Sequence, residues 1–375
     1  MTAPGQQTDS RTPAPGGTAK LAGRTVARIG FGVMQLGRQP RDPSLAILGC
    51  HHDQFVLKNS DADHNYLVPP AGHPRRISML RRILKTERVD LLVPTSDDDV
   101  VEFSRARNGL GHHLFLPRPA TIEACQDKYG LSVRLRTRGI PAPLTYPVTS
   151  LSHLGAIFRR LGRPARAWCR IRTGAGALGA IPVASAAQAN SWIAYWRDLR
   201  GVPVTSFTVS EYLPGRDFGC QSLWKDGQLV LIKTYERLSY LGSGSQPAEV
   251  SSVAALAKTV YEPRVVEVCE AAIRTLDGKA SGVFSVDLKE NAAGTPCVTE
   301  INAGRFSSAT NIFDLTGKHN MAVTYVRLAQ GERPGVSGTY DAAADHYMLR
   351  DVDTLPRMFD AEQFFDAVID GRGSA

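Results

Sequence analysis

The chain has no C-x-x-C pair. Its six cysteines (Cys50, Cys125, Cys169, Cys220, Cys269 and Cys297) stand singly along 375 residues. That spacing argues against a thiolate metal site and a disulfide framework, and it suits a reducing compartment. No apolar run approaches the length of a membrane span, and the start lacks the apolar core of a signal peptide. A cytoplasmic protein with no membrane partner is therefore expected. Basic runs interleaved with aromatics are missing too. The net charge of +8 is spread over helix-spaced arginines, as in "RRISMLRRILKTERVD". That pattern is a solvated face, so nucleic acid is not an expected partner and a small anionic ligand such as a nucleotide fits better. No internal repeat is found. What remains is 43% hydrophobic and 21% charged, the balance of a soluble globular chain long enough for two or three lobes.

Residues 1–22, rich in Pro, Gly, Thr and Ala without apolar periodicity, read as a disordered tail. From Thr25 strands and helices alternate. "TVARIGFG", "SLAILGC", "VDLLV" and "HHLFLP" read as strands, "PRRISMLRRILKTE" and "DVVEFSRARN" as helices, and "PTSDDD" as an acidic loop. This alternation predicts a parallel sheet covered by helices over 23–120. A helix N-capped by Thr121 is expected to run to Arg138, where Gly139, Pro141 and Pro143 end it. A helix near 150–161, the strands "ARAWCRIR" and "AIPVA", and the helix "AAQANSWIAYWRDL" make a second unit, 121–205. Long antiparallel strands and the helix "RVVEVCEAAIRTLDG" make a third, 206–333, followed by an extension over 334–375. The fold class is α/β (α+β).

Gly174-Ala175-Gly176-Ala177-Leu178-Gly179 is a literal G-x-G-x-x-G. It carries a dinucleotide meaning only when a helix opens at it. Here Ala180-Ile181-Pro182-Val183 follows, which predicts a strand, so that reading is rejected. A glycine hairpin can still approach phosphates with its backbone N–H groups. Arg170 and Arg172 alternate on the strand leading into it and share a face. From the loop alone, a surface hairpin with two solvated arginines is the better reading.

"GVFSVDLK" and "CVTEIN" flank the turn-like "KENAAGTP" and predict a hairpin. If it is symmetric about the turn, Asp287 faces Glu300 and Ser285 faces Asn302. Like charges opposed across a ladder repel. Two carboxylates and an amide on one patch make sense if a hard divalent cation sits there, and a solvated acidic face is the other reading. Spacing alone leaves both open. The pair His51-His52, with His64, reads as surface or packing rather than as a metal site, because adjacent strand residues point opposite ways.

Asp287, Glu300 and Asn302, with Arg305 beyond, resemble the metal-binding hairpin of the ATP-grasp superfamily. Three other stretches fall in that family's order. "DK…GIPAPLTYP" resembles its linker helix and first nucleotide lysine, Lys128. "RIRTGAGALG" resembles its lid strand and phosphate loop, and "VSEYLPGRDF" its adenine hinge and ribose acid. The resemblance covers residues 25–330, and as a whole the chain resembles the carbamoyl-phosphate synthetase large chain, D-alanine–D-alanine ligase and bacterial amino-acid ligases. It implies an ATP-grasp fold with an N-terminal parallel-sheet pre-ATP-grasp domain, a lid subdomain and an antiparallel-sheet C-terminal lobe carrying the metal site.

The same resemblance implies an ATP-dependent carbon–nitrogen ligase that turns a carboxylate into an acyl phosphate, which an amine attacks, releasing ADP and phosphate. ATP would be held by Lys128, Arg170 and Arg172, by the loop glycines Gly174, Gly176 and Gly179, by Ser210, Glu211 and the Leu213 backbone at adenine, and by Asp217 at ribose. Asp287, Glu300 and Asn302 would hold Mg²⁺, two ions by expectation, with Mn²⁺ as an alternative. Arg305 would stabilise the oxyanion, and Arg237, Ser243 and Ser245 lie in the family's substrate loop. Small carboxylate and amine substrates are the implied partners, and a homodimer is compatible. Carboxy-phosphate or carbamoyl-phosphate chemistry on bicarbonate is the alternative, as is a nucleotide-binding regulator with a decayed site. There are three departures from the family pattern. Arg170 stands where most members have lysine, Ala177 where serine is usual, and Gly304 is an extra residue between Asn302 and Arg305.

Overall fold

A computed structural model of the chain describes residues 26–30, 45–57, 60, 62–174, 177–242, 253–309, 316–341, 343–351, 357–360 and 362. The expected tail over 1–22, Gly176, Ser243 and Ser245 lie outside them.

The first domain is a parallel sheet of β1 (Val26–Gly30), β2 (Leu45–His51), β3 (His64–Leu67) and β4 (Leu91–Val93), in the order β3-β2-β1-β4. Its helices are α1 (Gln54–Leu57), α2 (Arg76–Thr86), α3 (Asp97–Arg105) and α4 (Arg107–Leu110). Helix α2 buries Leu80, Ile83 and Leu84 at i, i+3, i+4 against Leu48 and Leu92. Strand β3 has no counterpart among the strands expected from the sequence, and two expected elements differ here. "PTSDDD" is no loop after Thr95: Ser96 N-caps α3, accepting from the Asp99 N–H at 3.1 Å, and the three aspartates form the first helical turn. Carboxylates there are favoured by the helix dipole. "HHLFLP" is no strand. Gly111–His113 is a 3₁₀ turn, and the Phe115 carbonyl is bonded by the Tyr325 hydroxyl at 2.5 Å instead of by a sheet neighbour.

The expected single helix from Thr121 to Arg138 is two helices, α5 (Pro119–Gln126) and α6 (Lys128–Thr137). Asp127 separates them and caps α6 by accepting from the Tyr129 N–H at 3.1 Å. The first helix starts at Pro119, which lacks the N–H that a first turn leaves unused. Thr121 therefore lies inside it, its hydroxyl donating to the buried Asp277 carboxylate at 2.9 Å.

The middle subdomain contains β5 (Thr145–Pro147), α7 (Leu154–Arg160), β6 (Ala167–Ile171), β7 (Ile181–Val183), α8 (Ala186–Arg200) and β8 (Phe207–Glu211), with sheet order β5-β8-β6-β7. Phe158, Cys169, Ile193, Phe207 and Val209 build its separate core. Strand β8 completes this sheet, so the subdomain extends past residue 205. The glycine loop leads into β7, antiparallel to β6, and no helix opens at it.

The C-terminal lobe is an antiparallel sheet of β9 (Asp217–Lys225), β10 (Gln228–Tyr240), β11 (Ala254–Thr259), β12 (Gly282–Glu290), β13 (Pro296–Ala303), β14 (His346–Leu349) and β15 (Arg357–Asp360). Its strand order is β13-β12-β9-β10-β11-β14-β15. Helix α9 (Pro263–Leu276) lays Val265, Cys269, Ala272, Ile273 and Leu276 on one face, against Phe218, Phe284 and Val286. The other face meets helix α10 (Met321–Ala329) and strand β4, where Leu91, Val93, Leu223, Val283, Phe306 and Tyr325 share a core. All six cysteines are buried free thiols, and burial pushes Cys50, Cys125 and Cys169 up to about 12.

Candidate active site

The β12–β13 hairpin has the expected register: Asp287 pairs with Glu300 and Ser285 with Asn302. Toward the turn the register shifts, Leu288 facing Val298, so Thr299 is an extra residue on β13. The Thr299 hydroxyl donates to the Asp287 carbonyl at 3.0 Å, while its own carbonyl accepts from Arg170 Nη2 at 2.6 Å. Such a bulge re-aims neighbouring side chains, here at the acidic pair.

That pair faces a cavity of about 680 Å³ between the middle sheet, the C-terminal sheet and the end of β4. Lys128, Arg170 and Gly174 line it from one side. Ser210, Glu211, Leu213 and Asp217 line the crossing from β8 to β9, and Arg237, Asp287, Glu300, Asn302 and Arg305 line the C-terminal face. Two expected residues stand apart. Arg172, just past the end of β6, gives its Nε and Nη2 to the Asp127 carboxylate and lies over Tyr129 instead of facing the cavity. Gly179, at φ +66°, packs where a Cβ would meet Ile171 at 2.8 Å, and its carbonyl accepts from Trp192 Nε1 at 2.9 Å.

Charges are interleaved through the cavity. Glu300 lies 3.5 Å from Lys128 Nζ and 3.7 Å from Arg170 Nη1. Burial raises the Glu300 carboxyl above its ordinary range, against the pull of Lys128 and Arg170 and with the push of Asp287. Burial likewise lowers Lys128 and Arg170, while Glu300 opposes the shift in both. The Lys128 ammonium also donates to the Gly174 carbonyl, tying α6 to the glycine loop. Arg237 is a hub. Its Nη1 donates to Asp217 at 2.8 Å and to the Phe218 carbonyl at 3.0 Å, and its Nη2 to the Tyr235 hydroxyl at 2.8 Å and to Asp287. Burial works against that charge, but Asp287, Tyr235 and Asp217 outweigh it and hold Arg237 well above its ordinary range. Asp217 accepts from Tyr240 as well and lies 3.6 Å from Lys289 Nζ.

The extra Gly304 has a place in this geometry. Its N–H donates to the Val283 carbonyl at 2.7 Å, so it continues the hairpin past Ala303, and its φ of +99° turns the chain. Arg305 thereby comes back over the site, its Nη2 donating to Asn302 Oδ1 at 2.9 Å.

No protein-family model matches the chain. Solved structures do match it. An L-amino acid ligase from Bacillus licheniformis aligns over 87% of this chain and 79% of its own, at 12% identity and a TM-score of 0.65. The biotin carboxylase domain of a Hydrogenobacter thermophilus 2-oxoglutarate carboxylase, seen with MgADP, ADP and bicarbonate, aligns over 86% and 73%, at 11% identity and 0.65. A carboxyaminoimidazole ribonucleotide synthase from Aspergillus clavatus, complexed with ATP, aligns over 86% and 81%, at 15% identity and 0.62.

The chain has the ATP-grasp fold.

In that fold the parallel sheet over β1–β4 is the pre-ATP-grasp domain, the middle subdomain is the lid, and the cavity lies under it. The donor set fits a hard divalent cation. Asp287, Glu300 and Asn302 offer only oxygen ligands, and they leave coordination positions for phosphate and water. Among the described residues no group of three or more His, Cys, Asp or Glu is gathered for a metal, so these three would need ligand oxygens to complete a shell. The charge balance points the same way. Five acids (Asp97, Glu211, Asp217, Asp287, Glu300) and six bases (Lys128, Arg166, Arg170, Arg237, Lys289, Arg305) line the cavity among the described residues. A wall so close to neutral leaves most of a triphosphate's charge for divalent cations to offset.

Sequence reasoning missed Thr95, Ser96 and Asp97, which enter from the first domain, and Arg166 and Trp168, which share the Arg170 face of β6. The Thr95 hydroxyl is buried with no hydrogen-bond partner among the described residues. Two signals were available: the period of two along "RAWCR", and the rule that ligands gather at the carboxyl ends of parallel strands, here β4.

Proposed function

We propose that this chain is an ATP-dependent ligase that activates a carboxylate as an acyl phosphate and couples it to an amine. The reading is carried by one observation. The register that opposes Asp287 to Glu300 and Ser285 to Asn302 faces Lys128 and Arg170 across one cavity beneath a glycine hairpin. Nothing in packing alone rewards two opposed carboxylates beside a buried lysine and arginine. That an L-amino acid ligase shares this fold, and that a synthase and a carboxylase domain of the same fold have been seen with ATP and with MgADP and bicarbonate, supports it.

In this mechanism Glu211 and the Leu213 backbone take the adenine edge beside Ser210. Asp217 keeps lone pairs for a ribose hydroxyl while it braces Arg237. Lys128 and Arg170 hold phosphate oxygens, Arg170 in the bidentate manner open to a guanidinium. Asp287, Glu300 and Asn302 would hold Mg²⁺, which supplies charge neutralisation at the β- and γ-phosphates. The substrate carboxylate attacks the γ-phosphorus and ADP leaves. An amine then attacks the acyl carbon of the acyl phosphate, phosphate departs, and one proton is released. Arg305 donates to the oxyanion of that second step. The lid excludes water, which would otherwise hydrolyse the acyl phosphate.

Asp287→Asn and Glu300→Gln test the site. Each keeps the size of its side chain, so the expected result is a loss of substrate-dependent ADP release by at least about 100-fold with the thermal midpoint retained. Near-normal turnover in both variants sinks the metal assignment.

A further inference from the structure

An acid enters this cavity from a distance of 208 residues. Asp97 Oδ1 accepts from Arg305 Nε at 2.7 Å and Asp97 Oδ2 from Arg305 Nη2 at 3.1 Å, a two-point clamp between the first domain and the metal hairpin. A carboxylate in a pocket meant for triphosphate and carboxylate repels both ligands, so its presence needs a compensating use. Both partners are mostly buried.

The clamp selects among the guanidinium nitrogens. Nε is taken by Asp97, and Nη2 is shared between Asp97 and Asn302, whereas Nη1 has no hydrogen bond to any described residue. Nη1 is therefore the donor left over on a residue that lines the cavity. Asp97 is itself held firmly. It is the first residue of α3, behind the Ser96 cap, where the helix dipole favours its charge. Helix α3 is fixed by Val100 in the core and by Asp99, which pairs with Arg76. The backbone agrees with the side chains, because a Cβ on Gly304 would come within 3.2 Å of both Val100 and Leu116. The turn that delivers Arg305 is thus set against α3 as well.

We propose that Asp97 is the positioning residue of Arg305. It locks two guanidinium nitrogens so that Nη1 alone meets the reacting oxyanion, and in this way the first domain takes part in the chemistry of the C-terminal lobe. The assignment rests on the ligase reading for what Arg305 does, but the clamp can be tested without it.

Asp97→Asn keeps the shape and removes the charge-assisted fork. The expected result is a kcat lower by about 10- to 100-fold, the size of a misplaced catalytic group, with the KM for ATP within about twofold of wild type. Arg305→Lys discards the planar fork. Adding Asp97→Asn to it should change kcat by less than about twofold, the non-additivity of two residues acting as a unit. A purely structural role would instead lower ATP affinity and thermal midpoint together. The proposal is overturned if Asp97→Asn keeps kcat within about twofold of wild type, or if the double variant loses the product of the two single losses. A wild-type chain that releases no ADP with any carboxylate and amine counts against the ligase reading and leaves a separate measurement of the clamp. Phenylglyoxal labelling, mapped by mass spectrometry, should then modify Arg305 about tenfold faster in Asp97→Asn than in wild type. Equal rates would overturn it.

Discussion

Gly304 shows how one residue decides a site. Its φ of +99° lies where side chains other than glycine's are strained, and the space beside it is filled by Val100 and Leu116. Gly304→Ala is expected to cost about 1–3 kcal/mol and to lower activity further by displacing Arg305. A thermal midpoint unchanged in differential scanning calorimetry would contradict this. The sequence exposed the insertion but not its effect, because a backbone turn depends on what packs around it. The same limit applied to Asp217 and Arg237. Each could be singled out by its neighbours in the chain, while their mutual bond, with Tyr235 and Asp287 completing the cluster, is a cross-strand contact. The opposed carboxylates were the most legible part of the site, since period-two alternation and a turn suffice to set Asp287 opposite Glu300.

At the scale of elements, the break between α5 and α6 matters most. Asp127 caps α6 and binds Arg172, and Lys128, the next residue, reaches Glu300 and the Gly174 carbonyl. The Arg172 guanidinium holds the Asp127 carboxyl below its ordinary value near 3.8, against burial. A lowered carboxyl contributes stability that is present above the ordinary range and is lost as pH falls through the lowered value. Asp127→Asn retains a good cap and removes only the ion pair. Both partners are about one-third exposed, so its effect at neutral pH should stay within about 1 kcal/mol. The acid-side fall of the thermal midpoint should be shallower than in wild type, and parallel profiles would refute the pairing. Several elements escaped the sequence reading for physical reasons. β3, β14 and β15 are four-residue strands, too short for a period to show. "HHLFLP" has a strand's composition, but its Phe115 carbonyl is bonded by the Tyr325 hydroxyl of α10, and Phe115 packs into the core with Leu91 and Val93 without pairing as a strand.

Across the whole molecule, the first domain and the C-terminal lobe are joined by a common core, with Leu91 and Val93 of β4 packed among Leu223, Val283, Phe306 and Tyr325. The lid has its own core. This division suits a rigid two-part floor under a separately folded cover. Leu91→Ala is expected to cost about 2–5 kcal/mol and to lower the main calorimetric transition, which includes the C-terminal sheet. A separate, earlier transition for the first domain alone would argue against the shared core. In the proposed function, this cavity couples a carboxylate to an amine at the expense of ATP. That coupling is tested most directly by ADP release from the wild-type chain with Mg-ATP against paired panels of carboxylates and amines, bicarbonate included among the carboxylates. ADP release that requires both a carboxylate and an amine is the predicted result. Tight Mg-ATP binding with no ADP release for any pair would contradict the claim and leave a nucleotide-binding protein that does no ligation.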